Sequence, residues 1–161
     1  MNRRSAISGI SISIFGLLHF PKFVFASEKT LDYFNQAQKQ LVAAISQCII
    51  PSGKNPGAIE VGVPQFIETM VKDCMDLPNQ KKVENALTKI DNFAIKTHNE
   101  SFIKCNAAQQ LAVLQTLLED PKSNASVLEL KSLTVQCYTS SEYYLNNIAG
   151  FQFAPGKYDG C

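Results

Sequence analysis

Arginine is nearly missing from this chain of 161 residues, occurring only at Arg3 and Arg4. With arginine confined to that pair and twelve lysines facing fourteen acids after residue 26, no basic stripe is expected to track a phosphate backbone, and nucleic acid is not an expected partner. Nor does any polybasic amphipathic segment stand out that would suit a membrane surface. Histidine is almost as scarce. Beyond the first 26 residues only His98 remains, so neither a histidine metal cluster nor a Ser–His–Asp relay can be assembled. His98 itself falls late in a polar-faced helix and reads as a solvated surface residue. The cysteines lie 24 to 32 residues apart, which excludes Cys-x-x-Cys redox pairs, haem attachment and iron–sulfur ligation. Gly53, Gly57 and Gly62 lack the strand-to-helix turn and the following Lys-Ser/Thr of a phosphate loop. The expectation is a chain with no catalytic residue, no cofactor and no metal of its own.

What is present begins at the N-terminus. The arginine pair precedes an apolar, charge-free run over residues 6–18 and a small-residue exit at Val24-Phe25-Ala26. These are the parts of an export signal, so residues 1–26 are expected to be a signal cut after Ala26. Paired arginines suit the twin-arginine route, whose translocase moves passengers already folded. The agreement with that route is confined to the pair, since Ala6 stands where Phe or Leu is usual, and a general-secretion signal is the other reading. An uncleaved anchor fits less well, because residues 6–21 fall short of the ~20 apolar residues a bilayer needs and include His19 and Pro21. Residues 27–161 then form a single domain of 135 residues, enough for one helical core. Arg3, Arg4 and Lys22 leave with the signal, so twelve lysines face fourteen acids and the net charge is −2.

The spacing of apolar residues predicts an all-α fold, a compact bundle of five to six helices. Phe34, Ala37, Leu41, Ile45 and Cys48 recur at three- and four-residue intervals, predicting a helix over residues 29–49 that Pro51 stops. Residues 51–57 are dense in turn formers. Val63, Phe66, Ile67, Met70, Val71 and Cys74 define a second helix with Pro64 in its first turn. A third uses Val83, Ala86, Leu87, Ile90, Phe93 and Ala94. Asn106 and Gln109 form a capping pair for a fourth, with Leu111, Leu114, Leu117 and Leu118 on its stripe and Pro121 at its end. The fifth, over residues 126–138, is apolar on several faces through Val127, Leu128, Leu130, Leu133, Val135 and Cys137, and is expected to be the buried one. No period-two pattern competes. The tail, residues 151–161, carries Pro155, Gly156 and Gly160 and should be irregular.

Five cysteines are an odd number for an exported protein, so at most two internal disulfides leave one thiol over. Cys48, Cys74 and Cys137 lie on predicted apolar stripes and read as buried small hydrophobes. Cys161, the last residue, cannot hide in a stripe and is the candidate for a disulfide to a partner. The competing bond is internal, to Cys105, the one nearest a predicted helix end and so expected to be the most accessible of the other four. The sequons at Asn99 and Asn124 are three-residue matches that carry little weight.

Ile49-Ile50-Pro51 and the run Asn55-Pro56-Gly57-Ala58-Ile59-Glu60-Val61-Gly62-Val63-Pro64-Gln65-Phe66-Ile67 resemble the signature of the gluconate 2-dehydrogenase subunit 3 family. Leu133-Thr134-Val135 leading to Tyr138-Thr139-Ser140, and the closing Pro155-Gly156-Lys157-Tyr158-Asp159-Gly160-Cys161, resemble its C-terminal pattern. Two departures fall at one corner: Cys137 stands where the family usually has glycine, and Ser141-Glu142-Tyr143-Tyr144 is bulkier than its usual turn. The resemblance implies a small accessory subunit at the periplasmic, outer face of the cytoplasmic membrane. Its large partner would be a flavoprotein of the glucose–methanol–choline type carrying FAD, with or without an iron–sulfur cluster. A multihaem cytochrome c subunit with haem c would take the electrons. The small subunit would supply the twin-arginine signal and escort the folded flavoprotein through the translocase. Twelve residues between Pro51 and Pro64 are long for a helix connector, so Pro56, Gly57, Val63, Pro64 and Phe66 are candidate partner contacts. In the tail Pro155, Gly156, Tyr158, Asp159 and Gly160 are the others, with Tyr158 as aromatic anchor. A free-standing exported binding or inhibitor protein with internal disulfides is the alternative.

Overall fold

Two asparagines start two of the helices by the same device. Asn35 accepts a hydrogen bond from the Gln38 amide while the Gln38 side chain accepts one from Asn35 N–H, a reciprocal capping box that opens α1, Gln36–Ile49. Asn106 and Gln109 repeat it to open α4, Ala107–Glu119. The structure, a computed structural model, describes residues 32–121 and 123–151. Between α1 and α4 lie α2, Val63–Thr69, and α3, Leu77–His98, whose N-cap Asp76 accepts from the Asn79 amide. After α4 come α5, Asn124–Thr139, and the short α6, Glu142–Asn147. The described residues contain these six α-helices and no strand. The all-α bundle expected from apolar spacing is the fold observed.

Local chemistry corrects several boundaries and faces. The first helix does not begin at residue 29: residues 32–35 are non-helical, because Asn35 with extended backbone is the cap. α2 does not run on as α-helix to Cys74. It passes into a π-helical turn, Met70–Cys74, and the wider winding rotates each residue less, so later residues fall behind their α-helical positions around the axis. Cys74 is thereby exposed instead of buried, while Val71 stays inside. Gln80 completes this turn from the next helix, its side-chain amide lying 3.0, 3.2 and 3.1 Å from the carbonyls of Val71, Lys72 and Met75. In α4 the core side is Val113, Leu114 and Leu117, and Leu111 is 48% exposed. α5 begins two residues earlier than expected. It is not buried all round, since Leu128 and Val135 face solvent.

α5 is nonetheless the centre of the bundle, packed against each of the other five helices. Its Val127, Leu130, Leu133, Thr134, Cys137 and Tyr138 are buried, and Thr134 satisfies its hydroxyl on the Leu130 carbonyl at 2.8 Å. α3 brings Val83, Ala86, Leu87, Ile90 and Ala94 to the same core. The link from α3 to α4 is held from α3: the Asp91 carboxylate accepts from the Ser101 hydroxyl at 2.6 Å and the Phe102 amide at 2.9 Å. Phe102 is thereby seated fully inside. At the other end Glu68 takes the Phe34 amide at 3.0 Å and pairs with Lys39 at 3.2 Å.

The Tyr33 hydroxyl donates to Glu84 at 2.7 Å. Burial, then the hydrogen bond and negative charge of Glu84, push its pKa up to about 12. The folded value lies above the unfolded ~10, so this contribution to stability is complete below pH ~10 and is lost as pH rises towards 12. Thermal melts of wild type and Tyr33→Phe across that window check it: the alkaline fall in Tm is expected to be smaller in the variant.

Candidate partner interface

Pro51, which has no amide hydrogen, ends α1 and turns the chain out of the bundle. The chain returns at once, because the Ala58 amide donates to the Ile50 carbonyl at 3.0 Å. That closure brings Gly57 against the start of the loop. A Cβ there would stand 2.5 Å from the Ser52 nitrogen and 2.8 Å from the Pro51 carbonyl carbon, both backbone atoms that cannot give way, so only glycine fits. Ser52 accepts from the Gln47 side chain at 3.1 Å and donates to the Glu60 carboxylate in a short hydrogen bond. The Ser52 hydroxyl, helped by backbone amides, holds the Glu60 carboxyl below its ordinary range. Gly62, with φ +78°, occupies the left-handed region and hands the chain into α2.

The loop is then tied to the far end of the chain. The Tyr138 hydroxyl donates to the Pro56 carbonyl at 2.8 Å, across 82 residues of sequence, and Tyr143 donates to the Asn55 side chain at 3.2 Å. Tyr144 meets Tyr138 edge-on at 5.9 Å. The bulk at residues 141–144 therefore braces the loop. Cys137, in the same corner, is buried, and burial pushes its thiol up to about 11.

The candidate contacts divide into two kinds. Phe66 is 42% exposed, with Pro64 half-buried near it and Ile59 exposed. Gly57 is buried and Val63 is 1% exposed, so both shape the loop from within and offer no side-chain surface. Pro56 is half-buried and contributes its carbonyl to Tyr138. Arg3, Arg4, Ala26, Pro155, Gly156, Tyr158, Asp159, Gly160 and Cys161 lie outside the described residues. His98 sits half-buried in the last turn of α3. Cys48, Cys74, Cys105 and Cys137 are free thiols. Cys105 is 6% exposed and Cys74 is the exposed one, which reverses the order of accessibility expected from helix ends.

Periodicity did not reveal a second apolar surface. Leu128, Lys131, Ser132, Val135, Gln136 and Thr139 form an open groove along α5. Lys131 also borders a cleft lined by Cys48, Ile49, Leu111, Leu114, Gln115, Leu118 and Val127. Its signal in the sequence was the excess of apolar residues on α5 beyond one stripe. Among the described residues no group of three His, Cys, Asp or Glu is placed to hold a metal.

Tyr138→Phe leaves the half-buried Pro56 carbonyl without its donor, which is expected to destabilise the chain by about 1–2 kcal/mol. Tyr143→Phe, at an exposed bond, is expected to change stability by less than about 0.5 kcal/mol. Urea titrations of the two variants measure the difference.

No curated protein and no solved structure matches the chain. The sequence model described as gluconate 2-dehydrogenase subunit 3 matches residues 36–156, from the first residue of α1 onward and through both the braced loop and α5. The chain therefore belongs to the gluconate 2-dehydrogenase subunit 3 family.

Proposed function

We propose that this chain is a non-catalytic small subunit of a periplasmic FAD-dependent dehydrogenase complex, acting as escort and stabiliser of the large subunit. The observation that carries this reading is the family match over the helical domain. It is supported by the form of the surface: a loop pinned at Pro56 and Asn55 carries Ile59, and the helix that follows it carries Phe66, both with part of their apolar surface exposed. Pre-ordered apolar side chains bind at lower entropic cost than mobile ones.

In this reading FAD, with or without an iron–sulfur cluster, lies in a large partner of the glucose–methanol–choline type. A multihaem cytochrome c with haem c receives the electrons. The substrate, a sugar, sugar acid or alcohol, touches the large subunit only. The role of this chain is to bind the flavin-loaded partner before export and to carry it through the twin-arginine translocase on the signal that contains Arg3 and Arg4. Anything that binds the folded partner and not its unfolded form also raises its stability. No helix among the described residues is long and apolar enough to cross a membrane, and the complex is the proposed link to the outer face of the cytoplasmic membrane. The reading as a free-standing protein with internal disulfides draws no support from the four described cysteines, all free thiols.

Replacing Arg3 and Arg4 by lysine is expected to strand this subunit and its flavoprotein together in the cytoplasm. Fractionation of the mutant cells checks it, and undiminished periplasmic dehydrogenase activity would refute escort by this signal. Cys161 is the proposed site of a disulfide to the large subunit. On non-reducing electrophoresis the two subunits should migrate together, and Cys161→Ser should separate them.

A further inference from the structure

α3 turns Val83, Ala86, Leu87, Ile90 and Ala94 into the core. Seven residues make nearly two full helical turns, so Lys82, Lys89 and Lys96 stand in line on the outer side, about 10 Å apart and about 21 Å from end to end. All three are exposed, and so are Asn85 and Asn92, which fill the positions between them. No acid interrupts the line. The two acids within α3 lie off it and are engaged, Glu84 by the Tyr33 hydroxyl and Asp91 by Ser101 and Phe102. Acids occur only at the ends, at the N-cap Asp76 and at Glu100 beyond the C-cap Asn99. Among the described residues none of the three lysines is in an ion pair, and Lys82 makes only a 2.7 Å hydrogen bond to Asn79. The expectation of no basic stripe is thereby corrected. Lysines seven apart are scattered in sequence and become a ridge only when wound on a helix whose other side is buried.

We propose that the ridge of Lys82, Lys89 and Lys96 rests on an anionic lipid surface, giving this subunit a direct contact with the membrane. A protein partner would be met by aromatic or arginine anchors, whereas lysine is depleted at such interfaces. The crest of the ridge carries neither. An ammonium group is a hydrated point charge that attracts without a fitted counter-surface, and a plane of headgroup phosphates presents charge in that diffuse form. The proposal stands apart from the escort reading, because the ridge and the braced loop are different surfaces.

Each lysine close to an anionic surface strengthens binding about fivefold. The full chain is sedimented with vesicles of mixed phosphatidylglycerol and phosphatidylcholine, or of phosphatidylcholine alone, at low salt. Binding is expected to the mixed vesicles. Lys89→Gln with Lys96→Gln should weaken it about 25-fold, and Lys89→Arg with Lys96→Arg should preserve it. The charge-matched pair Lys54→Gln with Lys131→Gln should have a much smaller effect, and Arg3 and Arg4 are present in every sample. Circular dichroism confirms that the exposed substitutions leave the fold intact. Equal weakening by the two glutamine pairs, or none by the ridge pair, overturns the proposal. So does a ridge pair that binds vesicles normally but no longer co-purifies with the large subunit, since the ridge is then a protein contact.

Discussion

Every other helix of the bundle leans on α5, and this one dependence organises the rest of the molecule. Six buried side chains, from Val127 to Tyr138, line its inner side, and each large apolar one contributes about 1.5–3 kcal/mol by leaving water. A helix that touches five neighbours cannot present one narrow stripe. It needs apolar residues over a wide arc, which explains why its sequence looks hydrophobic on several faces. The arc is wider than the neighbours cover, and Leu128 and Val135 are left outside.

The loop after α1 owes its order to the same helix. Tyr138 sits on the last turn of α5, and its hydroxyl meets the Pro56 carbonyl while its ring takes the edge of Tyr144. A long connector that is closed by Ile50 and Ala58, filled only by glycine at Gly57 and pinned by two tyrosines has little freedom left to lose on binding. That is the physical sense in which an accessory subunit can be built for docking. The loop carries Ile59, and Phe66 stands on the helix it hands the chain to; both leave part of their apolar surface exposed. The outer side of α3, with lysines and no anchor, is suited to a different kind of surface.

Much of the fold was legible because helix chemistry is local. The Asn106–Gln109 capping box, the halt at Pro51, Pro64 in a first turn and the core positions of α3 all follow from residues within a turn or two of each other. The failures have a common cause. Asn35 capped α1 although the apolar spacing began at Phe34, the π-helical turn swung Cys74 outward, and Leu111 kept the period of its stripe yet stays half exposed in an open cleft. Of the candidate contacts, Phe66 is exposed and Pro64 is half-buried, while Gly57 and Val63, drawn from the same motif, are interior.

The sequence by itself determined the class of the fold, the order of the first five helices, some of their ends and the family, since these rest on caps, prolines, periodicity and ordered motifs. Only the tertiary structure decided which apolar residues are core and which are surface, which thiol is exposed, and that Tyr138 and Tyr143 reach back to Pro56 and Asn55. The line of three lysines follows from helical spacing alone, and the packed structure adds that all three stay exposed. The reason is physical. Caps and turns act over a few residues, whereas burial and long-range hydrogen bonds depend on what packs opposite, and the spacing along one helix does not contain its neighbour.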